Sequence, residues 1–188
     1  WFTSQYPVRL KTGSSLRETL INVKEGIRRA PGNGIGYGLL RYAENGNLPV
    51  INPRISFNYL GRFTTLENDA DWSLANEEHG RPICENWKHT ALWDINSLVA
   101  EDKLQFQLSW PSNVFAAAEM AELKAHIEEG IREVLTHCKE TETTFTTSDF
   151  PLVKPPQETI DRLTESYPTL ENILPLTPLQ QGILFHYL

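Results

Sequence analysis

Cysteine is scarce in this chain: Cys84 and Cys138 are the only two, far apart and outside any C-x-x-C pattern. That usage supports neither a disulfide framework nor a zinc site and fits a reducing compartment, so a cytoplasmic protein without a bound metal is expected. No apolar run approaches the ~18 residues of a membrane span, and the first residues lack a basic and then apolar signal pattern. Positive charge is in deficit, with 17 Lys and Arg against 24 Asp and Glu and a net charge of −7. The basic residues are scattered, which argues against a nucleic-acid or anionic-membrane partner and leaves a carrier or small molecule easier to accommodate. Methionine occurs once, at Met120, and the first residue is Trp1. The sequence therefore reads as a piece of a longer chain.

Catalytic clusters are thin as well. His79, His89, His126, His137 and His186 are dispersed, with no H-E-x-x-H, no adjacent pair and no nucleophile elbow. His126 and His137 fall on a helical pattern and read as surface residues. "EEHGRP", Glu77 to Pro82, gathers carboxylate, imidazole and guanidinium, but in a loop-like stretch where a solvated charge cluster is the ordinary outcome.

What is present is hydrophobic patterning, in a chain that is 40% hydrophobic over 188 residues and so long enough to bury a core. "WFTSQYPVRL", residues 1–10, reads as a strand broken by Pro7. Leu16, Leu20, Val23 and Ile27 then mark a helix, with Ser15 and Glu18 as a capping box and Pro31 and Gly32 as its stop. "YGLLRYAENGN" leaves a helical turn and a strand both open. "RISFNYLGRF", residues 54–63, reads as a buried strand ending at Gly61, and residues 64–90 as a long polar surface excursion. Leu104, Phe106, Leu108 and Trp110 alternate with polar residues, one face buried and one wet. "ALWDINSLVA" precedes them across a short turn at Glu101 and Asp102, giving an antiparallel hairpin. Met120, Leu123, Ile127, Ile131 and Val134 stripe a long helix from about Val114 to His137. These elements together predict an α/β fold, a mixed sheet with helices packed on one face.

The composition then shifts to Thr, Glu, Pro and Lys, a linker with one short helix over Glu158 to Glu165. In the final segment Thr177 caps a helix, with Pro178 at its first position and Gln180 completing a capping box. Leu179, Ile183, Leu184, Tyr187 and Leu188 form an apolar stripe. That stripe has no partner within a dozen residues, so the rest of its domain is expected elsewhere.

Two short motifs stand out. "PGNGIGYG", residues 31–38, has glycine at every second position, follows a helix instead of a strand, and lacks both G-x-G-x-x-G and G-K-[ST]. It reads as a turn built from residues that tolerate positive φ, not as a phosphate cradle. "FNYLG", residues 57–61, places Asn58 beside Tyr59 in a strand. Alternation sends the two to opposite faces, so that one can line a cavity while the other anchors the sheet, and spacing does not say which.

"WFTSQYPVRL", "PGNGIGYG" and "FNYLG", in this order and at these separations, resemble the last three motifs of the epimerization domains of nonribosomal peptide synthetases. "WDINSLVAEDKLQFQLSW" resembles the hairpin that follows them, "SDFPLV" the exit from such a domain, and "ILPLTPLQQGILFHYL" the first motif of a following condensation domain.

The resemblance implies residues 1–140 as the C-terminal lobe of an epimerization domain with a chloramphenicol-acetyltransferase-like fold. Residues 141–170 would be an interdomain linker with a short helix, and 171–188 the start of a condensation domain. It further implies inversion at the α-carbon of an aminoacyl or peptidyl thioester, carried on the phosphopantetheine of a partner carrier domain, with no cofactor bound directly. Neighbouring domains of the same synthetase would be the other partners. Asn58 and Tyr59 match positions implicated in catalysis, in a supporting role, and Tyr37 would contact the substrate side. The principal acid and base of the family belong to an H-H-x-x-x-D-G and an E-G-H-G-R-E motif that both precede W-F-T. "EEHGRP" follows "FNYLG" and so does not inherit the second role, and this segment by itself is expected to be inactive. The rival readings are the end of a peptide-bond-forming condensation domain, which "YPVRL" and "FNYLG" disfavour, and a noncatalytic carrier-docking domain of the same fold.

Overall fold

A computed structural model describes residues 3–43, 46, 48–63, 80, 84, 91–141 and 144–188. The chain divides into two compact units, one of Trp1–Pro49 with Gly130–Leu188, the other of Val50–Glu129.

In the first unit, helix α1 spans Leu16–Arg28. Ser15 Oγ accepts from the Glu18 N–H at 3.2 Å, as an N-cap should. The second arm of the expected capping box is displaced by one residue, because the Glu18 carboxylate takes the N–H and hydroxyl of Ser14, each at 2.7 Å. Helix α2 covers Ile35–Tyr42, which resolves the ambiguity after the glycine motif in favour of helix. Residues 3–10 form no strand. Their β-prone composition goes unused because a strand needs a partner ladder, and Pro7 supplies no donor to one. This segment packs against the glycine turn instead, with Ser4 Oγ donating to the Asn33 carbonyl at 2.9 Å.

The second unit holds the sheet. Strands β1 (Ile55–Phe63), β2 (Trp93–Ala100) and β3 (Lys103–Ser109) lie in the order β1-β2-β3. β1 runs parallel to β2 and β2 antiparallel to β3, so the sheet is mixed as expected. The hairpin turn is Glu101–Asp102, both left-handed at φ 50° and 58°, the geometry of a tight two-residue connection. β1 does not stop at Gly61. It continues to Phe63 through a bulge, the register stepping from Tyr59↔Ser97 to Arg62↔Val99, with Gly61 at φ 89°. Nor is β1 buried as expected: Phe57 is 63% exposed and Tyr59 53%. The face bearing Leu104 and Phe106 is also open, so alternation set the sidedness of the sheet correctly but not its burial.

Helix α3 spans Ala117–Glu140, starting three residues later than the sequence pattern implies. Met120 is buried and Leu123, Ile127, Ile131 and Val134 are half-buried, matching the apolar stripe. Helices α4 (Gln157–Ser166) and α5 (Pro178–Tyr187) complete the chain. Both arms of the capping box at Thr177 and Gln180 are made, and the apolar side chains of α5 are exposed. The 64–90 excursion, including all of "EEHGRP" but Gly80, lies outside the described residues apart from Gly80 and Cys84. Cys84 and Cys138 are both free thiols. No helix among the described residues is long and apolar enough to cross a membrane.

Candidate functional site

The glycine motif is a turn, as its spacing implied. Gly32, Asn33 and Gly34 are successive left-handed residues at φ 55°, 53° and 79°, a backbone path that only glycine and, less readily, asparagine follow at low cost. It follows α1 and not a strand, although it does open α2. Gly34 is buried, and a β-carbon there would fall within the ring edge of Tyr6. The glycine thus makes room for an aromatic ring of the preceding segment. Two stretches of chain that the sequence presents as separate motifs are one packed feature. Tyr37 is half-buried on α2 in this unit.

Asn58 and Tyr59 sit on β1 in the other unit. Residues paired across a sheet share a face. The registers Asn58↔Asn96 and Asn96↔Gln107 therefore place three amides in a row across the sheet. Ser56, Asp94 and Ser109 lie on the same face. Asn58 Nδ2 donates to Asn96 Oδ1 at 3.1 Å. Tyr59 belongs to the opposite face with Phe57, Ile95, Phe106 and Leu108, paired through Ser97. Ser97 is 2% exposed, and its hydroxyl, 3.4 Å from the Asn58 carbonyl, satisfies itself against the β1 backbone.

The two motif residues are thereby divided between a polar and an apolar surface. Asn96 is the residue that sequence reasoning missed. Its signal, an Asn at the centre of a strand, was visible, but its pairing with Asn58 depends on a parallel register that no local pattern specifies.

A mixed sheet in an α/β chain, carrying Asn-Tyr ahead of a bulge glycine, is the chloramphenicol-acetyltransferase-like architecture that the motifs implied. Residues 1–150 match the condensation-domain family. A linear gramicidin synthase of Brevibacillus parabrevis is 36% identical over 198 residues, covering 100% of this chain and 3% of the relative. A mycosubtilin synthase of Bacillus subtilis is 30% identical over 197 residues, covering 100% and 8%. Among solved structures, the epimerization domain from the third module of tyrocidine synthetase B aligns with a TM-score of 0.65 and 27% identity, over 73% of this chain and 32% of that one. The chain belongs to the condensation-domain family of nonribosomal peptide synthetases, and it spans only a small part of the curated relatives it matches.

Proposed function

We propose that residues 1–140 are the C-terminal part of an epimerization domain that converts an L-aminoacyl or peptidyl thioester on a phosphopantetheinyl carrier to the D form. Residues 171–188 begin a following condensation domain. The likeness to a solved epimerization domain, taken with the Asn58–Tyr59 motif, carries this reading. In the reaction a base removes the α-proton and an acid returns one on the opposite face, while negative charge builds on the thioester carbonyl. Those two groups are assigned to motifs upstream of Trp1.

Asn58 supports the chemistry from the polar face of the sheet. One N–H is committed to Asn96, which fixes the amide and leaves its other N–H and its carbonyl to meet the substrate side. Tyr59, on the opposite face and 53% exposed, is assigned a supporting role too, by hydrogen bonding near the thioester or orienting the acid and base. Tyr37 is assigned to substrate contact from its place in the glycine motif.

The condensation reading keeps one specific support, the family match over residues 1–150, and a single experiment separates the two. This chain, and the chain extended through its natural upstream region, are each mixed with a carrier domain loaded with an L-aminoacyl or peptidyl thioester. The hydrolysed product is resolved by chiral chromatography. A mixed D and L product from the extended chain and pure L from this one is the expected result. Pure L from both, with a competent carrier and a verified fold, moves the assignment to condensation or docking.

A further inference from the structure

The segment read from sequence as a linker is seated on α1 within the first unit. Arg17, Lys24 and Arg28 are spaced seven and four residues apart and so share one helix face, with Glu25 beside them. All four reach the segment. Asp149 takes Lys24 Nζ and Arg28 Nη1, each at 2.6 Å, on its two oxygens. The Ser148 N–H donates to Glu25 Oε1 at 3.1 Å, and Arg17 Nη2 meets Asp161 Oδ1 at 2.8 Å.

The segment is also folded on itself. A 3-10 turn at Thr147–Asp149 is closed by a full capping box between Thr146 and Asp149. Gln157 Nε2 bonds both the Phe145 carbonyl and Asp161, at 2.9 Å each. Phe150 and Ile160 are 0% and 1% exposed, as buried as any core residue. Partial burial pushes the Asp149 carboxyl up, but hydrogen bonds from Lys24, Arg28 and the Thr146 N–H outweigh it and hold it well below the usual carboxylate range.

Beyond Ser166 the character changes. Tyr167, Leu174 and Leu176 are exposed, and the hydrogen bonds of residues 167–177 reach only a few positions along the chain, as from Ile173 N–H to Asn172 Oδ1.

We infer that residues 144–166 are a fixed clasp whose seat is the charged face of α1, and that the mobile joint of the interdomain connection is confined to residues 167–177. The clasp holds whichever reaction the domain catalyses. Its consequence for reach rests on reading 171–188 as the start of the next domain. Measured to α5, the first helix of that domain, about eleven residues span at most about 40 Å, whereas the whole stretch from residue 141 would span roughly three times that. A shorter tether raises the effective concentration of one domain at the other and limits where it can go.

Native-state hydrogen exchange on the full chain, mapped by mass spectrometry, tests this, with the β2–β3 hairpin as internal reference. The amides of α4 and of residues 149–154 should exchange about a hundredfold more slowly than those of 167–177. Equal rates in the two segments overturn the clasp. Asp149→Asn should speed exchange in 147–154 about tenfold while the hairpin is unchanged. Unchanged protection in 147–154 would remove the charged face of α1 as the seat. The comparison within the unaltered chain stands whether or not the variant folds.

Discussion

A single methyl group at Gly34 should be among the most damaging small changes in the first unit. Gly34→Ala acts in two ways. The backbone there is left-handed, φ 79° and ψ 3°, which costs an L-residue about 1–2 kcal/mol. The added β-carbon also collides with the Tyr6 ring, which lies against the buried Gly34, so relief requires a shift of the ring and the entry segment that carries it. Overpacking of this kind costs about 1–3 kcal/mol. The sum, about 2–5 kcal/mol, is a large part of a typical folding free energy of about 5–15 kcal/mol.

The two terms separate in a double-mutant cycle. With Tyr6→Ala in the background the collision is gone and only the backbone strain remains. Gly34→Ala should then cost about 1–2 kcal/mol, and the coupling between the sites should be about 1–3 kcal/mol. Urea unfolding followed by circular dichroism gives all four corners. Equal costs of Gly34→Ala in both backgrounds would refute the idea that glycine is present to admit the ring.

Two further expectations concern the amide row and the clasp. In the complete domain Asn96→Leu should lower kcat for epimerization about fivefold, the worth of about 1 kcal/mol for one hydrogen bond, with KM unchanged; Asn96→Asp, which keeps the acceptor for Asn58 Nδ2, should restore most of it. Wild-type rates in both variants would show that Asn58 needs no positioning. Asp149→Asn should destabilise the first unit by about 1–2 kcal/mol near neutral pH. Because the folded carboxyl is depressed below its ordinary 3.8, its contribution is complete above that value and is lost as pH falls through the folded pKa. The gap between wild type and variant should therefore be flat above roughly pH 5 and shrink in more acid solution, as read from urea midpoints.

Local rules carried the elements whose causes are local. The Ser15 cap, the Thr177–Gln180 box, the Glu101–Asp102 turn and the α3 stripe were all legible, because each is decided by residues within a few positions of one another. Failure came where a distant partner decides. Residues 3–10 have strand composition but make no ladder, and β1 has the pattern of a buried strand while leaving Phe57 and Tyr59 largely exposed. Burial is a property of what else is packed on the face, and alternation cannot report it.

The clasp illustrates the same division from the other side. Thr, Glu and Pro in "TETTFTTSDFPLVKPPQ" fit a linker, and nothing within that stretch reveals that Asp149 meets two cations more than a hundred residues earlier. A solvated linker and a docked one can share a composition, since the contacts with α1 are a handful of ion pairs and hydrogen bonds, beside two buried apolar side chains, and not a hydrophobic run. Glu25 makes the point: read locally it is an ordinary helix-surface residue, yet it is buried because Ser148 offers it a backbone N–H. The Asn58–Asn96 bond follows the same logic in the sheet, where the motif names one partner and the parallel register supplies the other. Motif positions therefore identify the family, while the residues that hold them in place are set by pairings between distant parts of the chain.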